Sequence, residues 1–121
     1  MKPVDVTAAL LAVVASPAAS DVPSAMPAEF TRVSRVGGSR QNVVQGRPSL
    51  LIECWALTKL AAQSRAFDAW QAIDAAQHST HAGVWLGGID LSEPYEYPDP
   101  SAPGHRRYQF TASAVVALRT D

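Results

Sequence analysis

The sequence is poor in the groups that most readily identify a small protein. It has one cysteine, Cys54, so no internal disulfide can form, and no cluster of four Cys or His provides the ligands of a structural zinc site. Only two lysines accompany its eight arginines, and ten basic against eleven acidic residues leave a formal charge of -1. That balance supplies no global positive field to hold nucleic acid by counterion release. No apolar run approaches the roughly 20 residues that span a bilayer, so no membrane partner is expected. Gly37-Gly38 and Gly87-Gly88 lack the spaced glycines and the Lys-Ser/Thr of a dinucleotide or phosphate loop. Gly-x-Ser-x-Gly and metal-hydrolase motifs are missing too, so the residues give no catalytic constellation and imply no cofactor.

What is present is an ordinary globular composition. The 121 residues are 47% hydrophobic and 17% charged, enough for one core and one domain spanning 1–121. Residues 1–15 resemble a secretory leader in having Lys2, an apolar run from Ala8 to Ala15 and Pro17-Ala18-Ala19 behind it. Asp5 interrupts that pattern, and its carboxylate is well suited to cap a short helix over Val6 to Ala15 that stops before Ser16-Pro17. Residues 16–28 hold Pro17, Pro23 and Pro27 among Ser and Ala, the composition of an extended strap.

The remainder, 29–119, reads as a sheet and helix core. Glu29 to Val36 is a strand ending at Gly37-Gly38, and Gly38 to Pro48 is a polar loop in which Val43-Val44 offers a hairpin extension. Ser49 to Leu57 is nearly continuous in apolar residues, as a central strand covered on both faces would be. Thr58 then caps a helix over Lys59 to Gln77, with Ala62, Ala66, Ala69, Ile73 and Ala76 on one face. Val84 to Leu91 is a third strand with a weak point at Gly87-Gly88, and Glu93 to His105, with four prolines, is a second loop. Tyr108, Phe110, Ala112, Ala114, Val116 and Leu118 alternate with a mostly polar set that includes Gln109 and Thr111. This predicts a final strand of about 40 Å with one buried and one solvated face, long enough to project beyond its sheet. The expected fold is α/β (α+β): a small, mostly antiparallel sheet in the order α-β-β-α-β-β, with the main helix packed on it.

Few residues point to chemistry. His78 and His81 stand at helical spacing but have no third ligand in sequence, and a solvated helix end explains them. Cys54 lies within an apolar strand, the setting of a buried, inert thiol. Glu53 shares a strand face with Leu51, Trp55 and Leu57, where an ion pair with an arginine is expected. Partner-binding candidates sit in or beside the two loops: Arg40, Arg47, Arg106 and Arg107 as charged forks, Tyr95 and Tyr97 as amphipathic rings.

One ordered set of residues carries a resemblance. A Pro-rich segment leads to Phe30-Thr31-Arg32-Val33 and Gly37-Gly38, then Arg47-Pro48, then Ile52-Glu53-Cys54-Trp55-Ala56, with Ala61-Ala62 starting the helix. Pro94 and Pro98-Asp99 precede Arg107-Tyr108 and a final strand ending at Arg119. In this the chain resembles the tail terminator proteins of long-tailed (siphovirus-type) bacteriophages, in particular those of phages infecting actinobacteria, and its preference for arginine over lysine fits a GC-rich genome. The resemblance implies a structural virion protein, assembled in the host cytoplasm and located at the tail-neck junction. It implies a hexameric ring that caps the head-proximal end of the tail tube and stops its growth. Implied partners are other copies of the chain, the major tail tube protein and the head completion or connector protein, with DNA passing through the ring without sequence-specific binding. Another ring-forming connector or tail-tube-like protein shares that logic, and a small cytoplasmic enzyme or ligand-binding domain is the remaining alternative.

Overall fold

Strict alternation in the last strand organises the molecule. In a computed structural model, which describes residues 5–40 and 45–117, the chain runs α1 (Val6–Leu11), β1 (Ala18–Ala19), β2 (Phe30–Arg40), β3 (Gln45–Ala56), α2 (Lys59–Ala75), β4 (Ser79–His81), β5 (Val84–Leu91), β6 (Tyr95–Glu96) and β7 (Arg106–Ala117). Tyr108, Phe110, Ala112, Ala114 and Val116 of β7 are all buried on one face. Antiparallel to it lies β3, whose Leu50, Ile52, Cys54 and Ala56 bury on the same face, Ile52 directly opposite Phe110. Each large apolar side chain closed off in this way contributes about 1.5–3 kcal/mol relative to exposure, so this face is where a charge is least tolerated.

Both helices lie on that face. Thr58 caps α2 by accepting the Ala61 amide at 3.1 Å, and Ala62, Ala66, Ala69 and Ile73 pack toward β3, β7 and β5. Alanine at three of those four positions brings the helix axis close to the sheet. Asp5 caps α1 through Ala8, as its position predicts, and Val6, Ala9 and Leu10 are buried. Because α1 touches both β2 and β4, which lie toward opposite margins of the sheet, the sheet curls around the helices.

The expected fold class is corrected by this arrangement. The described residues are mostly β, and they form a seven-stranded mixed sheet rather than a small antiparallel one in the order α-β-β-α-β-β. Its path is β1-β2-β3-β7-β5-β4, with β6 beside β7 and β1 parallel to β2. Three strands of two or three residues escaped sequence reasoning, since so short a segment has no periodicity and becomes a strand only by pairing with a longer neighbour. Residues 16–28 thus contain β1, the Glu93 to His105 loop contains β6, and the polar turn around His81 contains β4.

Boundaries shift for local reasons. The first helix ends at Leu11 rather than Ala15, with the Val13 amide bonding back to Leu10, and the chain then turns so that Val14 enters the core. The loop expected over Gly38 to Pro48 is largely strand, because β2 runs to Arg40 and β3 starts at Gln45; Val43-Val44 lies outside the described residues. Gly38 permits this pairing: at φ +134° it stands so close to β3 that a Cβ would lie 2.5 Å from the Pro48 Cα. The long last strand does not project alone, since β3 accompanies it from Arg106 to Ala117. Its predicted end at Leu118 and Arg119 is outside the described residues. Its second face is not all solvated either: Gln109 is buried, its side-chain amide donating to the hydroxyl of Tyr95 on the neighbouring β6.

Candidate interaction surface

The face of the sheet away from the helices carries Arg47, Tyr95 and Arg107 of the sequence-predicted candidates, and it divides into two halves. At one end, the Pro-rich segment between β5 and β7 folds back over β3. Trp55 donates its indole N–H to Asp99 at 3.0 Å and packs tilted against Phe30, with ring centroids 6.0 Å apart. Beside it Glu53, only 5% exposed, accepts from Arg107 at 2.9 Å and from Arg32 at 3.5 Å. The expected ion pair of Glu53 is therefore made within the chain. Arg107 also donates to the carbonyls of Tyr97 (2.8 Å) and Pro98 (3.3 Å), and its guanidinium lies 5.8 Å from the Trp55 ring and 5.3 Å from that of Tyr97. A carboxylate so paired is fixed in place and an arginine so occupied holds its own loop, an arrangement suited to rigidity.

The other candidates have mixed fates. Arg106 forms a two-pronged contact with Glu96, at 2.6 and 3.0 Å, and remains half-exposed. Tyr95 accepts a hydrogen bond from Gln109 at 2.8 Å, and Tyr97 meets it edge-on at 6.3 Å; both rings are largely open to solvent. Arg47 pairs with Asp90 across β7. Arg40 is the last residue of β2, and its side chain lies outside the described set. Tyr95, Tyr97, Arg106 and Arg107 thus gather at one end. Arg47 stands eight residues along β3 from Trp55, the partner of Arg107 in the register, so roughly 26 Å separates the two groups.

Two functional-looking residues were missed. Trp85, 45% exposed, lies over Gly87, where a Cβ would come within 3.1 Å of the indole and 3.2 Å of the Val115 Cβ. The Gly87-Gly88 pair signalled this spot as a bulge, and the register of β5 on β7 does shift between Leu86 and Ile89, but the aromatic platform above it was not read. Arg65 is the second. From α2 it donates to Thr31 Oγ1 at 2.8 Å and to the carbonyls of Ala15 (3.0 Å) and Pro17 (2.8 Å), and it lies 3.6 Å from Glu29. It thereby fastens the N-terminal strap to the sheet, and its one sequence signal was a lone arginine flanking the alanine face.

Beside Arg65 opens a cleft of about 460 Å3 lined by Val13, Val14, Thr31, Glu29, Ser64 and Asp68 among others. Cys54 lies beneath, its thiol in contact with the Thr31 hydroxyl at 3.6 Å. Burial pushes that thiol from 9.0 up to about 11, with Glu53 adding to the rise and Thr31 and Arg65 opposing it. It is thus far from a reactive thiolate. His78 adopts a left-handed turn at φ 57°, and His81 contacts the Ser79 hydroxyl at 2.8 Å, so the pair does not share a helix face. Among the described residues no group of three His, Cys, Asp or Glu is placed to hold a metal, and no helix is long and apolar enough to cross a membrane. No protein-family model matches the chain, and no curated protein matches it.

Proposed function

We propose that the chain is a ring-forming structural subunit of the phage tail-terminator type. In this reading it caps the head-proximal end of the tail tube as a hexamer, stops tube growth and offers a docking face to the head completion protein. The ordered motifs of the sequence support this, and one structural observation carries it: the open edge of β2. β1 pairs only with Thr31 and Arg32, so beyond them β2 has no neighbour on that side among the described residues. Arg35 to Gly38 are exposed, Val36 at 56%. An open edge strand, backed by β3 and β7, is the kind of element a small subunit uses to engage neighbours.

The test is electron microscopy of particles assembled with a subunit shortened in the β2–β3 connection, or in the Pro98 to Gly104 segment. A shortened connection is expected to give overlong tubes or tails unjoined to heads, with the isolated subunit still folded. Tails of normal length joined to filled heads with both variants overturn the reading.

A further inference from the structure

Both margins of the sheet carry open backbone, one beside an arginine and the other beside a glutamate. On β2 the Thr31 amide donates to the Pro17 carbonyl at 3.0 Å, on the side of β1. Strand alternation turns the N–H and C=O of Val33 and Arg35 to that same side, past the end of β1, where no strand among the described residues receives them. Arg35 is exposed there. At the other margin β4 covers β5 only from Val84 to Leu86. The Ile89 amide, facing away from β7, donates to Gln77 Oε1 at 2.9 Å, so Leu91 two residues on turns its own N–H and C=O outward as well. No strand among the described residues lies beyond it. Beside Leu91 a groove of about 320 Å3 opens between this edge and α2, with apolar walls of Phe67, Trp70, Leu91 and Pro94 and the exposed Glu93 as its acidic member.

The two margins are linked by one row across the sheet. Arg35 is opposite Leu50, Leu50 opposite Ala112 and Ala112 opposite Leu91, so all four side chains leave the sheet on the helix side. Within a subunit three strand spacings, roughly 14 Å, separate Arg35 from Leu91, and α2 packs over the strands between, so this arginine does not reach its own groove. Three antiparallel steps also leave β5 antiparallel to β2. A neighbouring copy turned about an axis along the strands therefore presents its β2 in the direction and at the level that continue the ladder. We propose that the β2 edge of one copy pairs with the β5 edge of the next, Arg35 opposite Leu91, the two residues exchanging the backbone hydrogen bonds left open in the single subunit. In that register the Arg35 side chain lies against Leu91 and diagonal to Glu93, its stem on the apolar groove wall and its guanidinium on the carboxylate. Because the two edges are different surfaces, the contact is head to tail and closes into a ring when its rotation allows. This inference rests on the ring reading and names the contact that builds the ring. Both edges are backed by the central β3–β7 pair, so little conformational freedom is lost on joining.

Three variants of the full chain test it: R35E, E93K and the double variant R35E/E93K, all at exposed positions. Thermal unfolding first establishes that each is folded. Sedimentation velocity and native mass spectrometry then follow self-association at low and high ionic strength. Wild type is expected to assemble, less so in high salt, and each single variant to associate at least about tenfold more weakly, since like charges then face one another across the joint. The double variant is expected to recover assembly, because reversal on both edges restores the pair. Hydrogen exchange is expected to slow on assembly over Val33 to Gly37 and Ile89 to Glu93, and to stay unchanged at the Ala82-Gly83 turn. Single variants that assemble as well as wild type, or protection that leaves those two segments unchanged, overturn this contact and leave the ring reading standing. Folded wild type that stays monomeric at every concentration overturns the contact, and the ring reading is then decided by the tails themselves.

Discussion

The guanidinium of Arg107 on β7 lies 2.9 Å from a carboxylate oxygen of Glu53 on β3, with both side chains nearly closed off from water. The two residues are not opposite one another in the register, where Trp55 faces Arg107 and Gln109 faces Glu53. They meet diagonally across the sheet, and the loop carbonyls of Tyr97 and Pro98 complete the arginine's hydrogen bonding.

Removing Glu53 therefore leaves Arg107 only the more distant Asp99 carboxylate, 3.8 Å away, under the loop. Glu53→Ala is expected to destabilise the fold by about 1–3 kcal/mol, read as the shift in urea midpoint. Arg107→Lys does not rescue the function of arginine here, because an ammonium cannot reach the carboxylate and both carbonyls with a planar fork. Hydrogen exchange should accordingly rise in the Tyr97 to His105 segment of that variant.

Cys54 makes stability depend on alkaline pH. Below about 9 the thiol is protonated in both states. Above 9.0 the unfolded chain ionises while the buried thiol, at about 11, does not, so stability is lost as pH rises through that window. The loss reaches about 2–3 kcal/mol at its end. Urea midpoints measured across the range should fall more steeply for wild type than for Cys54→Ala, the difference isolating this one group from the tyrosines and lysines. Parallel curves contradict the assignment.

The turn joining β4 to β5 holds two residues, Ala82 at φ 49° and Gly83 at φ 77°. Both positions of such a hairpin need positive φ, which Asn-Gly adopts with least strain. Ala82→Asn is expected to raise stability by about 0.5–1 kcal/mol, seen as an increase of a few degrees in Tm.

Gly38 and Gly37 make a matched pair of probes for the β2 edge of the sheet. A side chain at Gly37 meets nothing within 4 Å, whereas at Gly38 it meets the Pro48 Cα at 2.5 Å and the Arg47 carbonyl at 2.6 Å. Both have positive φ, so Gly37→Ala adds backbone strain of about 1–3 kcal/mol and Gly38→Ala adds the collision as well. Calorimetry should rank Gly38→Ala clearly lower in stability, and exchange protection in β2 should fall first beyond Arg35.

Local chemistry was enough to place several elements. Thr58 announced the start of α2 at Lys59, alternation over Tyr108 to Val116 announced β7 and its buried face, and the apolar run around Cys54 announced a buried thiol. These follow from side-chain period and capping, which depend on neighbours within a few residues. Gln109 shows the limit of that reasoning. Its place in the alternation was on a solvated face, yet the two-residue strand formed by Tyr95 and Glu96 brings the Tyr95 side chain to it, and it is buried.

What the sequence alone determined is therefore the period of each long element and the face it buries, because both are written in consecutive residues. Only the tertiary structure decided which arginines are occupied. Arg106 and Arg107 are adjacent and alike in sequence, but strand geometry sends them to opposite faces, one to an exposed pairing with Glu96 and the other beneath the loop against Glu53 and Trp55. Arg65 was likewise one arginine in an alanine-rich helix until the fold brought Ala15, Pro17 and Thr31 to it. Whether a guanidinium stays available to a partner depends on acceptors far away in sequence, and only folding sets their positions.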